Sequence, residues 1–305
     1  MPPNFELAAA KNVPASFCYI HQTPSADQSL PRAFNDGCRD HKLTPNVENQ
    51  TLLGPDEPPP FQIVHEQGRS AYFLTCDHGG KLLPRALGTL GLRPTDLDRH
   101  IAWDIGAAAL ARKLSDALDA WLIIQTYSRL AIDCNRPLHS PTSIAPISEA
   151  TLIPGNQHVS AAEADARRRA IFQPYHDRIV AELDVRKIRQ RSTILVTVHS
   201  FTPEFHGERR PWHVGVLYHR DARLARILLD LFRDESALVV GDNQPYSVSD
   251  ESDYAIPIYG ERRSIPHVEL EIRQDLLADE SGQTEWAQRL VRSLVQAEQL
   301  LSRSR

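Results

Sequence analysis

The sequence predicts an α/β protein in which one sheet is covered by helices on both faces. Short apolar runs recur from residue 71 onward, and segments with helical spacing separate them. With 305 residues and 41% hydrophobic content, the chain is long enough to bury a substantial core.

Residues 1–60 hold 10 of the 22 prolines and end in Pro58-Pro59-Pro60, so they read as an irregular Pro-rich N-terminal extension. The regular part, a single domain, is expected over 61–305. Residues 71–76 form a buried strand stopped by Asp77-His78-Gly79-Gly80. A helix is expected over about 98–118, with Ile101, Ile105, Ala108 and Ala109 on one side. Residues 121–126 are the next strand. Ala161 to about Arg191 is helical by composition, with Pro174 expected to break or kink it. Residues 194–198 form a strand ending at His199, and Val214 to Leu217 another. Asp221 can cap a helix carrying Leu224, Leu228 and Leu231. A late strand at 266–272 precedes a terminal helix over 283–300, with Trp286, Leu290 and Leu294 along one stripe.

Formal net charge is -5, from 34 Lys+Arg against 39 Asp+Glu, which gives no broad electrostatic reason to bind nucleic acid. No run approaches the length of apolar residues that spans a bilayer. The first residues lack a basic segment followed by an apolar one, so no secretory signal is expected. Cys18, Cys38, Cys76 and Cys134 show no CxxC spacing, and such sparse cysteine use fits a reducing, cytoplasmic setting. Cys76 and Cys134 lie beside apolar runs, where small buried thiols sit.

Chemistry collects where apolar strands meet residues that are costly to hide unpartnered. His78 and His199 would supply two imidazoles for zinc, with a carboxylate and a water completing an open catalytic site. Asp104 is the preferred carboxylate ligand. It is placed in the first turns of its helix, four residues beyond His100, which can ligate, orient Asp104 or simply hydrogen-bond it. Asp77, adjacent to His78, is the competing ligand. Taken singly, each histidine is equally readable as an ordinary hydrogen-bonded residue, since no HExxH or HxxE fixes the geometry. Arg129 and Arg136 stand seven apart around Asp133 and Asn135, and a guanidinium fork can clamp a carboxylate or polarise a carbonyl. We assign Arg136 to substrate carboxylate capture and Arg129 to the developing oxyanion. Glu269 and Glu271 share one strand face; one can be held by an arginine while the other deprotonates a water beside a metal.

The segments LTCDHGG at 74–80, RHIAWDIGA at 99–107, YSRLAIDCNRP at 127–137, IPGN at 153–156, FQPYH at 172–176, HSFTP at 199–203, RPWHVGVL at 210–217, GDNQPY at 241–246 and VELEIRQDL at 268–276 form an ordered set. Over about 71–277 the chain thereby resembles the N-formylglutamate amidohydrolase family. The resemblance implies a three-layer α/β/α fold related to zinc carboxypeptidases, with a central mixed, mostly parallel sheet. It implies hydrolysis of an N-formyl amino acid, N-formyl-L-glutamate first, to formate and the free amino acid. His78 then matches the histidine of the first glycine-rich motif, His199 that of the HSF motif, Asp104 the helix aspartate, Arg129 and Arg136 the arginine pair, and Glu271 the acidic residue of the last strand; zinc is expected on His78, His199 and Asp104, with Glu271 as the base. The HxxE pair of zinc carboxypeptidases is absent, since Lys81 stands three residues after His78, so that motif does not fix the carboxylate ligand. The other readings are a deacylase for another small N-acyl amino acid or amide, and an inactive ligand-binding domain.

Overall fold

A computed structural model of the protein describes residues 51–303. Cys18, Cys38 and residues 1–50 of the expected extension lie outside the described residues. The strands are β1 (Phe61–Val64), β2 (Tyr72–Cys76), β3 (Trp121–Gln125), β4 (Ile147–Ser148), β5 (Thr151–Leu152), β6 (Ile194–Phe201), β7 (Glu204–Phe205), β8 (Glu208–Arg209), β9 (Val214–Leu217), β10 (Val240–Asp242) and β11 (His267–Arg273). The α-helices are α1 (Pro94–Leu97), α2 (Ala107–Leu118), α3 (Ala161–Arg167), α4 (Gln173–Ile188), α5 (Arg223–Arg233) and α6 (Glu280–Arg303).

Seven strands form one sheet in the order β1-β3-β2-β6-β11-β9-β10. The central run β3-β2-β6-β11 is parallel, whereas β1 and β9 join it antiparallel and β10 runs parallel to β9. Helices on both faces explain why the central strands read as continuous apolar runs rather than alternating ones. Alternation still decides which face each residue serves. Tyr72, Leu74 and Cys76 join Leu122, Val196 and Leu270 under α2, α5 and α6, while Phe73, Trp121, Ile123 and Leu195 meet Tyr175, Ile179 and Leu183 of α4. The result is three layers, a mixed and mostly parallel sheet between helices.

Several boundaries differ from the sequence reading, each for a local reason. The helix expected over 98–118 begins only at Ala107, because Gly106 precedes it with φ +82°. A side chain there would meet Leu277 Cβ at 2.4 Å, so the turn at 104–106 needs glycine both for its backbone and for its packing. Asp104 therefore sits before the helix rather than inside it. The expected break or kink at Pro174 takes the form of a wide π-turn over Arg168–Phe172, which interrupts the α-helix just before Pro174 in the first turn of α4. Strand β6 runs on to Phe201, so His199 lies within the strand and pairs in register with Glu271. Ala222, not Asp221, is the N-cap of α5, although the Asp221 carboxylate still accepts the Arg223 N–H at 3.1 Å.

Residues 51–60 lie along the domain. Leu52 and Leu53 pack against the α4-side core, Tyr127 Oη donates to the Pro58 carbonyl at 2.8 Å, and Thr126 N–H donates to the Pro60 carbonyl at 3.0 Å. No helix among the described residues is long and apolar enough to cross a membrane.

Candidate active site

The carboxyl ends of β2, β6 and β11 open into a cavity of about 550 Å³, the crevice position expected of an open α/β sheet. His78 enters it from the turn after β2. Gly80 lets that turn lie against the end of β3, since a Cβ there would come within 2.0 Å of the Thr126 carbonyl oxygen. Asp104 is tied to the same turn by its N–H, which donates to the His78 carbonyl at 2.9 Å. His199 arrives from the middle sheet strand, and Ser200 N–H donates to Asp104 Oδ2 at 3.3 Å. Side-chain atoms of His78, Asp104 and His199 then all lie within 4.8 Å of one another, and all three residues are buried.

Both imidazoles turn Nδ1 toward Asp104 Oδ2, His199 at 2.9 Å and His78 at 3.4 Å. His78 Nε2 points the other way, 2.7 Å from Asp133 Oδ1. Arg129 donates to Asp133 Oδ2 through Nε at 3.0 Å and Nη2 at 2.6 Å, and its Nη1 lies 3.7 Å from Asp104 Oδ1. Arg136 donates through Nη1 to the carbonyls of Asn135 and Ser252, with Asp253 3.8 Å away. Glu269 is held by Thr197 Oγ1 at 3.3 Å and Asn135 Nδ2 at 3.4 Å. Glu271 Oε2 is buried in the cavity wall with no hydrogen-bond partner among the described residues.

The electrostatics favour a cation at this point. Asp77, Asp104, Asp133, Glu269 and Glu271 are each at most 5% exposed, whereas among the described residues lining the cavity Arg129 and Arg136 are the only arginines and there is no lysine. Such a surplus of buried negative charge needs a proton or a metal. Burial would raise Asp104 and Asp133, but the imidazoles beside Asp104, and Arg129 with His78 beside Asp133, hold both well below the carboxylate range. Burial would depress His199, yet Glu269, Asp104 and Asp77 outweigh it and hold its pKa well above the usual imidazole value. Burial pushes Glu269 up to about 7 and Glu271 well above the ordinary glutamate value, both without the charge of an ion nearby. Two imidazoles and one carboxylate, with a cavity on their open side, suit a divalent metal that keeps a position for water or substrate.

Of the other residues singled out in the sequence, His100 lies in the cavity wall, away from the triad. Its Nε2 is 3.5 Å from Glu149 Oε2, a residue of the β4–β5 hairpin, because the 99–104 segment is a turn and not a helix. Asp77 sits behind His199, with Oδ2 3.5 Å from Nε2. Cys76 and Cys134 are buried thiols, and burial pushes both pKa values up. Sequence reasoning did not find Tyr246, whose hydroxyl accepts from Arg210 Nη1 at 2.8 Å at the cavity wall. Arg210 is itself stacked on Phe205 and Tyr246, at 4.4 and 4.8 Å from the ring centroids. The GDNQPY and RPWH segments carried that pair, but nothing local in them links residues 36 apart.

Fold and site together define a metal-dependent hydrolase. Residues 70–278 match the model of the N-formylglutamate amidohydrolase family. The chain belongs to that family. A crystal structure of a gene product from Agrobacterium tumefaciens is similar at 35% identity and TM-score 0.80, covering 82% of this chain and 99% of that one. The crystal structure of N-formylglutamate amidohydrolase from Ralstonia eutropha JMP134 shares the fold at 19% identity and TM-score 0.57, covering 79% of this chain and 98% of that one. Among curated proteins no match to this chain is found.

Proposed function

We propose that the protein hydrolyses the amide bond of N-formyl-L-glutamate or a similar N-formyl amino acid, giving formate and the free amino acid. The reading is carried by one juxtaposition: a buried His78–Asp104–His199 triad lining one cavity together with Arg129, Arg136 and Glu271, whose Oε2 is unpaired among the described residues. His78, Asp104 and His199 would hold zinc, which at such a site polarises a carbonyl and makes a water acidic enough to attack at neutral pH.

The chain's own groups supply the rest. Glu271 removes a proton from the attacking water and delivers it to the nitrogen as the C–N bond breaks, so the amine leaves neutral. Arg129 is rigidly anchored on Asp133 and presents Nη1 toward the triad, where it faces charge developing on the carbonyl oxygen. Arg136 has only Nη1 engaged among the described residues, which leaves Nε and Nη2 for a substrate carboxylate. Comparing kcat/KM for N-formyl, N-acetyl and unblocked glutamate derivatives tests the assignment. The formyl compound is expected to be preferred; preference for another acyl group would reject it.

A second reading is a deacylase for a larger N-acyl amino acid. The cavity of about 550 Å³ has an apolar wall of Ile101, Ala145, Ile147 and Phe205, more room than a formyl group needs. The same panel, extended to longer acyl groups, separates the two.

A further inference from the structure

We propose that Asp77, held by Tyr175, is the positioning carboxylate of His199 and not a metal ligand; this rests on the metal reading above. Asp77 is 1% exposed and immediately precedes His78. Its neighbour turns into the triad, while Asp77 turns to the opposite side. There its Oδ1 accepts the Tyr175 hydroxyl proton at 2.6 Å. Its Oδ2 has no hydrogen-bond partner among the described residues, and neither does His199 Nε2. These two buried, unpaired atoms face each other at 3.5 Å.

The pairing has a chemical consequence. A neutral imidazole carries one proton, and the nitrogen opposite it holds the lone pair a metal needs. His199 Nδ1 is the nitrogen on the triad side, so its proton belongs on Nε2. A carboxylate beside Nε2 makes that tautomer the favoured one and fixes the ring's orientation. Tyr175 occupies the other oxygen, which stops Asp77 from rotating away and satisfies a buried charge that would otherwise be costly. The arrangement repeats the support of His78 by Asp133, with a phenol in place of the Arg129 guanidinium. The FQPYH segment thereby gains a role: α4 brings Tyr175 to the back of the metal site from the opposite layer.

The test uses the full chain. Zinc affinity is measured by competition with a chromophoric chelator, and the visible absorption spectrum is recorded after cobalt substitution, for wild type, Asp77→Asn, Tyr175→Phe and His199→Ala. Asp77→Asn should weaken zinc by about 10–100-fold and alter the cobalt spectrum. Tyr175→Phe keeps the ring volume and should shift both in the same direction by less; it carries the test alone if Asp77→Asn does not fold. In a His199→Ala background neither change should weaken the residual affinity further, since the imidazole they position is gone. Unchanged affinity and spectrum in both variants, or equal losses with and without His199, would overturn the proposal while leaving the metal site standing. A wild-type protein that binds neither zinc nor cobalt would instead overturn the metal reading itself.

Discussion

Arg129 grips Asp133 through two nitrogens on one carboxylate oxygen, at 3.0 and 2.6 Å, while the other oxygen of Asp133 receives His78. One aspartate thus links an arginine of the cavity wall to an imidazole of the triad. Buried groups so connected are rigid, because moving either partner strands the carboxylate.

That linkage makes the two arginines unequal. Arg129→Ala should lower kcat by about 10²–10³-fold, with some loss of bound metal because Asp133 is released. Arg136→Ala should mainly raise KM. Steady-state kinetics with metal content measured in parallel checks both. Wild-type kcat and KM in both variants would place neither arginine in the site, and reversed phenotypes would exchange their roles.

Gly106 is the position where the backbone itself holds the site. Gly106→Ala would place a side chain at φ +82° and drive Cβ into Leu277. Left-handed strain of roughly 1–2 kcal/mol and overpacking of about 1–3 kcal/mol should together lower stability measurably. Urea denaturation should show it, with metal affinity falling in parallel because Asp104 is two residues away. An unchanged midpoint would mean that the turn relaxes freely.

His176 gives stability a pH dependence through its burial. Its ring packs at a tilt against Phe172 and Tyr254 and is hydrogen-bonded to Tyr259, and burial pushes its pKa down to about 3. Below an ordinary imidazole value near 6.5 the unfolded chain takes up a proton that the folded protein refuses. Stability is therefore full above that pH and is lost as pH falls toward 3, by about 1 kcal/mol per unit. His176→Phe should show a shallower loss between pH 6 and 4.5 than wild type in urea titrations. Parallel slopes would contradict the assignment.

Much of this was legible in the sequence because the periodicity of buried strands and the identity of chemical residues are local properties. Strand β9 was read at its observed bounds, and β2, β3 and β11 within a residue. His78, Asp104, His199 and Glu271 stood out because charged or titratable groups beside apolar runs need a reason. What the sequence hid were relationships set by tertiary packing. Gly106 ends its turn against Leu277, 171 positions away, so the apolar pattern over 98–106 passed for helix. Asp77 was weighed as a ligand because only the third dimension shows it behind His199, facing Tyr175. Tyr246 depends on Arg210 from a separate loop, a partnership that no spacing rule encodes.

Glu271 tests the division of labour at the site. Glu271→Gln preserves shape and removes only the base, so the protein should fold, keep its metal and lose about 10²–10⁴-fold in rate. Near-normal turnover would remove Glu271 from proton transfer.

Hydrolysis is expected to require a metal held by His78, Asp104 and His199. Protein stripped with chelator is titrated with zinc while formate release from N-formyl-L-glutamate is followed. No turnover should occur without metal, and activity should rise to a plateau at one equivalent, with His199→Ala remaining inactive throughout. Full activity in metal-free protein, or a plateau unaffected by His199→Ala, would contradict it.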